Sequence, residues 1–183
     1  RGPLPSGFSL PDVEPSLFGL SGEGLLEDLK KVMEGCYQPS HPGALAHLDP
    51  PPLTASIAAE LICAGLNNNL LAEELSPSLS CLERKLCRWF ADRLDLPESA
   101  GGVAASGGSL SNLMALVVAR QNANLQFDPT AVVLTSVDSH VSLAKSIHVM
   151  GLPGNALQRI PTNVKGQMSV KALENQLDVL KSQ

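Results

Sequence analysis

Two short runs hold the residues best suited to chemistry. The first is Ala105-Ser106-Gly107-Gly108-Ser109-Leu110-Ser111-Asn112-Leu113, which follows Gly102-Val103-Ala104 and opens an amphipathic helical pattern ending near Arg120. Two glycines let backbone approach a ligand closely, and the first N–H groups of a helix have no partner inside it. With the neighbouring hydroxyls, these groups make a site for a phosphate. The second run is Thr135-Ser136-Val137-Asp138-Ser139-His140-Val141-Ser142-Leu143-Ala144-Lys145, where an apolar strand turns into another helix with His140 at the junction. An anion grip followed by a strand-end histidine points to a phosphorylated, flat cofactor.

Other phosphate chemistries fit less well. The glycine run lacks Gly-Lys-Ser/Thr, and no third glycine follows at dinucleotide spacing, so a single phosphate is favoured over a nucleotide. Taken alone, the loop reads equally well as a tight turn capped by serine. His41 and His47 fall in loops, with His47 the one that could face a pocket, and His148 reads as an ordinary helix residue. There is no HExxH, so no zinc site is expected. Cys36, Cys63, Cys81 and Cys87 form no CxxC pair; they read as buried or idle thiols in a reducing compartment, with the cytoplasm as the default.

The elements that must position these residues follow from periodicity. Arg1 to about Ser21 is a Pro-, Gly- and Ser-rich arm, and Leu26, Leu29 and Val32 mark a short helix over Leu25–Met33. Pro50-Pro51-Pro52 forms a stiff extended segment. A helical pattern runs from Thr54 to about Leu71, and a stronger one from Pro77 or Ser78 to Leu94, with Leu79, Leu82, Leu86, Phe90 and Leu94 in one stripe. After Gly102 the pattern changes. Val103-Ala104 is expected as a short strand, Leu110–Arg120 as a helix and Ala131–Thr135 as a buried strand. Ser142–Met150 follows as a helix, Leu157–Ile160 as a strand and Ser169–Leu180 as a helix behind a Met168/Leu173 staple. Alternating strands and helices predict a parallel α/β architecture with ligands at the strand C-termini. The expected division is 1–100, an arm and helical segment, and 101–183, the first part of an α/β domain.

Composition agrees with that class and narrows the partners. Hydrophobic residues make up 44% and aromatics only 3%, as in helix-covered α/β proteins. A net charge of -5 argues against a nucleic-acid surface. No apolar run is long enough to span a bilayer. The chain begins at Arg1 rather than Met, and its last helical pattern runs to Gln183 with neither Gly nor Pro to close it, so a longer parent protein is expected.

The two runs, in this order and spacing, resemble the pyridoxal-phosphate-dependent group II amino-acid decarboxylases, which include the aromatic-amino-acid, glutamate, cysteine-sulfinate and 2,4-diaminobutyrate enzymes. His41-Pro42 and His47-Leu48-Asp49-Pro50-Pro51-Pro52-Leu53 resemble that family's substrate-side loop, and Leu82-Glu83-Arg84 with Trp89-Phe90 its helix ahead of the glycine loop. The likeness runs from about Gln38 to the end.

The resemblance implies a fold type I large α/β domain, incomplete here, preceded by an N-terminal helical arm. It implies pyridoxal 5'-phosphate as cofactor, an amino acid as substrate, and a homodimer with active sites at the interface; from the net charge, neither a nucleic-acid nor a membrane partner is expected. By position, Gly108 and Ser109 match the phosphate-binding pair, with Gly107 giving the backbone room, and His140 matches the histidine that stacks on the pyridine ring. Pro50 falls where many members carry a phosphate-side Thr, and the Pro-rich form is most like the diaminobutyrate branch. Lys145 matches a non-catalytic lysine; the family's Schiff-base Lys and its Asp for the pyridine nitrogen are expected past Gln183. The fragment alone is therefore expected to be inactive, and poorly soluble or partly molten because Val132–Leu134 would lack sheet neighbours. An aminotransferase or lyase of the same fold type, or a noncatalytic degenerate decarboxylase module, are the alternatives.

Overall fold

A computed structural model of the chain describes residues 2–14, 17–45 and 50–182. They form two compact units, one up to Ser76 and one from Pro77 onward.

In the first unit, α1 spans Gly22–Glu34 and α2 spans Thr54–Leu66. Ser21 caps α1 by accepting the Gly24 N–H at 3.1 Å. The arm folds back on this helix: Pro3 O accepts the Gln38 N–H at 2.8 Å. Phe8 lies so close to Gly35 that a Cβ there would come within 3.0 Å of its ring, which explains the glycine. α2 ends five residues before the expected Leu71. Asn67 turns left-handed at φ 47° and its N–H closes on Cys63 O at 2.9 Å. Neither helix has a buried residue.

The second unit holds the described hydrophobic core: Ala91, Ala131, Ile147, Ala156 and Ile160. It begins with α3, Pro77–Arg93, whose expected stripe stays largely exposed, with Leu82 at 60% and Phe90 at 54%. Asp95, at φ 53°, ends α3, and the Leu96 N–H returns to Ala91 O at 2.9 Å. The helices α4 (Gly108–Asn122), α5 (Ser142–Val149) and α6 (Val170–Lys181) and the strands β1 (Val133–Ser136) and β2 (Leu157–Ile160) follow. β1 and β2 pair in parallel from Val133↔Leu157 to Ser136↔Ile160. The connection between them runs through α5, as parallel neighbours require. α4 packs along α5, and Arg120 Nη1 donates to Met150 O at 3.1 Å. α6 is capped by Ser169 and tied to β2 by Gln176 Nε2 donating to Gln158 Oε1 at 2.7 Å.

One expected strand is absent. Val103-Ala104 joins no ladder, because the Ala104 N–H is taken instead by Glu83 Oε1 of α3 at 2.9 Å. The segment before it is held by Arg88, whose Nη1 donates to the carbonyls of Pro97, Glu98 and Ala100, each at 2.9 Å. Asp92 anchors the same guanidinium through Nε at 2.9 Å and Nη2 at 2.7 Å. The glycine run thus leaves α3 on a clamped strap rather than a strand.

Candidate functional site

The glycine run becomes the N-terminus of α4. Gly107 is its cap residue, extended at φ 164° and ψ 166°, and no side chain caps the helix. The first intrahelical bond closes from the Ser111 N–H to Gly107 O at 3.1 Å. The N–H groups of Gly108, Ser109 and Leu110 therefore point out of the helix with no acceptor inside it. The Ser109 hydroxyl makes no hydrogen bond among the described residues, whereas Ser111 Oγ is turned back onto Gly107 O at 3.3 Å. A Cβ on Gly107 or Gly108 would meet nothing within 4 Å. Neither backbone conformation nor packing among the described residues calls for glycine at these two positions. Open space before three free N–H groups at the positive end of a helix suits an anion.

His140 sits where the sequence put it, between β1 and α5, on a turn braced from several sides. The ladder extends past β1 through the Val137 N–H to Ile160 O at 3.0 Å, and Arg159 Nη1 donates to Val137 O at 3.1 Å. Thr162 Oγ1 donates to Asp138 Oδ2 at 2.6 Å, and Thr135 and Ser139 join through their hydroxyls. The imidazole itself is exposed on one side and held on the other. Its Nδ1 lies 2.8 Å from Ser142 Oγ and accepts the Ser142 N–H at 3.1 Å.

Ser142, only 1% exposed, also joins the two motifs. Its Oγ accepts from Asn112 Nδ2 at 2.7 Å, and Asn112 lies one helical turn into α4 from Gly108. Two hydrogen bonds thus link the glycine-loop helix to the histidine. Sequence reasoning assigned no role to Asn112 or Ser142, although both stand inside the quoted runs, and it missed the bracing by Glu83 and Arg88. A serine two residues after a histidine at a helix start was the one local signal available.

The remaining candidates lie elsewhere. His41, in the first unit, accepts the Gly43 N–H on Nδ1 at 2.9 Å, and His47 lies outside the described residues. His148 is exposed in the last turn of α5, and Lys145 is exposed on the same helix. Pro50 is exposed and has neither N–H nor hydroxyl to offer. Among the described residues, no three His, Cys, Asp or Glu side chains form a group able to hold a metal, and no helix is long and apolar enough to cross a membrane. A concavity of about 330 Å³ on α3, lined by Cys81, Arg84, Lys85, Arg88, Trp89 and Asp92, shares no residue with the glycine loop or the histidine.

Comparison with known proteins bears on this geometry. The model of the pyridoxal-dependent decarboxylase conserved domain matches residues 19–183. The chain is 33% identical over 153 residues to an L-2,4-diaminobutyrate decarboxylase of Rhizobium meliloti, an alignment covering 84% of the chain and 31% of that relative. It is 34% identical over 138 residues to an aromatic-L-amino-acid decarboxylase of Bacillus atrophaeus, covering 75% and 28%. The chain thus spans about a third of the length of these relatives. Among solved structures, the glutamate decarboxylase domain of a Vibrio parahaemolyticus diaminobutyrate-pyruvate transaminase and L-2,4-diaminobutyrate decarboxylase superposes with a TM-score of 0.85 at 27% identity, over 93% of this chain and 40% of that one. Oryza sativa TDC, solved with PLP and tryptamine, shares the fold at a TM-score of 0.83 and 19% identity, over 98% of this chain and 43% of that one.

Proposed function

The chain belongs to the pyridoxal-dependent decarboxylase family, and from that premise we propose that the whole protein removes the α-carboxyl group of an L-amino acid as carbon dioxide, using pyridoxal 5'-phosphate. The observation that carries the reading is the pairing of an open anion grip at Gly107-Gly108-Ser109 with His140, joined through Asn112 and Ser142. Pyridoxal phosphate, when bound, supplies the electron sink that accepts charge left at the substrate α-carbon. The protein's part is grip and orientation. The N–H groups of Gly108 and Ser109 and the Ser109 hydroxyl would hold the phosphate, and Gly107 would leave room for its approach. His140 would pack on the cofactor's flat ring and fix its orientation. Lys145 takes no part. In this division of labour, residues 101–183 begin the cofactor domain and 1–100 form the arm and helical segment.

A substrate of the 2,4-diaminobutyrate class is supported by the names of two similar relatives and by the Pro50-Pro51-Pro52 segment. We extend the reading to a cytoplasmic homodimer with active sites at the interface. The free thiols of Cys36, Cys63, Cys81 and Cys87 support a reducing compartment, and the family resemblance supports the dimer. The test is carbon dioxide release by the full-length protein, loaded with pyridoxal phosphate, from a panel of L-amino acids that includes 2,4-diaminobutyrate. Release with matching formation of the amine is expected. Amino-group transfer to a keto acid, or no turnover by a cofactor-loaded protein, would contradict the reading.

A further inference from the structure

We infer that Ser142 is a positioning residue for His140, holding its ring in the tautomer protonated at Nε2, and that Asn112 sets the direction of the Ser142 hydroxyl. One donor at Nδ1 has a fixed sense. A backbone N–H only donates, so the Ser142 N–H, 3.1 Å from His140 Nδ1, makes that nitrogen an acceptor. A neutral imidazole that accepts at Nδ1 carries its proton at Nε2.

The Ser142 hydroxyl is committed to the same result. Asn112 Nδ2 donates to Ser142 Oγ at 2.7 Å, which occupies an oxygen lone pair and leaves the hydroxyl hydrogen to point at Nδ1, 2.8 Å away. Ser142 is itself held in place. It is 1% exposed, it is the first residue of α5, and its carbonyl accepts the Ser146 hydroxyl at 2.8 Å. Asn112 rides on the helix whose N-terminus forms the anion grip, so the histidine's tautomer and ring direction are tied to the element that would hold the phosphate. The open edge of His140 therefore presents a donor at Nε2, and the ring cannot turn without losing both contacts at Nδ1.

The catalytic meaning of this device rests on the role proposed above for His140; the tautomer itself does not. The test is ring-nitrogen NMR of the full-length protein with isotopically labelled histidine, recorded without cofactor, with His140→Gln used to assign the signal. The native protein is expected to show Nδ1 as an unprotonated acceptor and Nε2 protonated. Ser142→Ala should lower the ratio of Nε2–H to Nδ1–H tautomer about fivefold, the equivalent of one ordinary hydrogen bond of ~1 kcal/mol. Asn112→Leu, which leaves the buried serine in place, should shift the ratio in the same direction and carries the test if Ser142→Ala fails to fold. A proton on Nδ1 in the native protein, or an unchanged ratio in the folded variants, overturns the inference. The proposed function fails separately: an unaltered cofactor spectrum in His140→Ala would refute the cofactor role while leaving the tautomer result standing.

Discussion

Replacing Ser109 by Ala and Gly108 by Val separates a phosphate site from a mere helix turn. Among the described residues neither position is under constraint: a Cβ at Gly108 has nothing within 4 Å, and the Ser109 hydroxyl has no partner. Gly108 opens α4, so valine there changes helix propensity by only a few tenths of a kcal/mol. A phosphate, by contrast, would lose a charge-assisted hydrogen bond of about 1.5–3 kcal/mol with the serine, which is roughly 10- to 100-fold in affinity. The valine side chain then fills the approach to the N–H groups and weakens binding further. The assay is equilibrium titration of the full-length apo-protein with pyridoxal phosphate, followed by absorbance, beside thermal melts of the apo form. The expected outcome is a dissociation constant raised at least tenfold with a melting point within a few degrees of native. Unchanged affinity would refute the assignment. A melting point that falls in step with affinity would show that the loop serves the fold instead.

Three further outcomes follow from the same structure. His140→Ala should cut turnover by about 10²-fold or more and alter the visible dichroism of bound cofactor, while the apo-protein melts only a few degrees lower, the cost of the two Ser142 contacts at Nδ1. Arg88→Met strips a donor from the carbonyls of Pro97, Glu98 and Ala100 and should destabilise the second unit by about 1–3 kcal/mol in denaturant melts, loosening the strap before the glycines. Asp128 is held below the ordinary carboxylate range by hydrogen bonds from the Thr130 hydroxyl at 2.6 Å and the Thr130 N–H at 2.8 Å. A lowered folded-state value means this turn contributes stability above the unfolded carboxylate's range and loses it as pH falls through the folded value. Carboxyl NMR titration should therefore show Asp128 moving back toward its ordinary value in Thr130→Ala.

Where residues carry their own signal, sequence and structure agree closely. Leu157–Ile160 is a strand with the expected limits, set between the turn residues Pro153-Gly154-Asn155 and Pro161. Ser169 caps the last helix as its hydroxyl and the following stripe predict. Periodicity misled where a polar group intervened. Asn67 stops α2 by adopting a left-handed conformation that a hydrophobic pattern does not register. Val103-Ala104 reads as a strand, yet its donor goes to a carboxylate 21 residues earlier. The same blindness hid half of the candidate site. Glycines, serine and histidine announce themselves by type. The bridge from Asn112 to Ser142 spans 30 residues, and only the packing of α4 against α5 creates it.

The most direct measurement is a crystal structure of the full-length protein with pyridoxal phosphate bound. Phosphate oxygens should lie within hydrogen-bond distance of the Gly108 and Ser109 N–H groups and the Ser109 hydroxyl, with the His140 ring face against the pyridine ring and His140 Nδ1 still on Ser142. A phosphate held elsewhere, with the N-terminus of α4 facing solvent or another protein segment, would contradict this assignment.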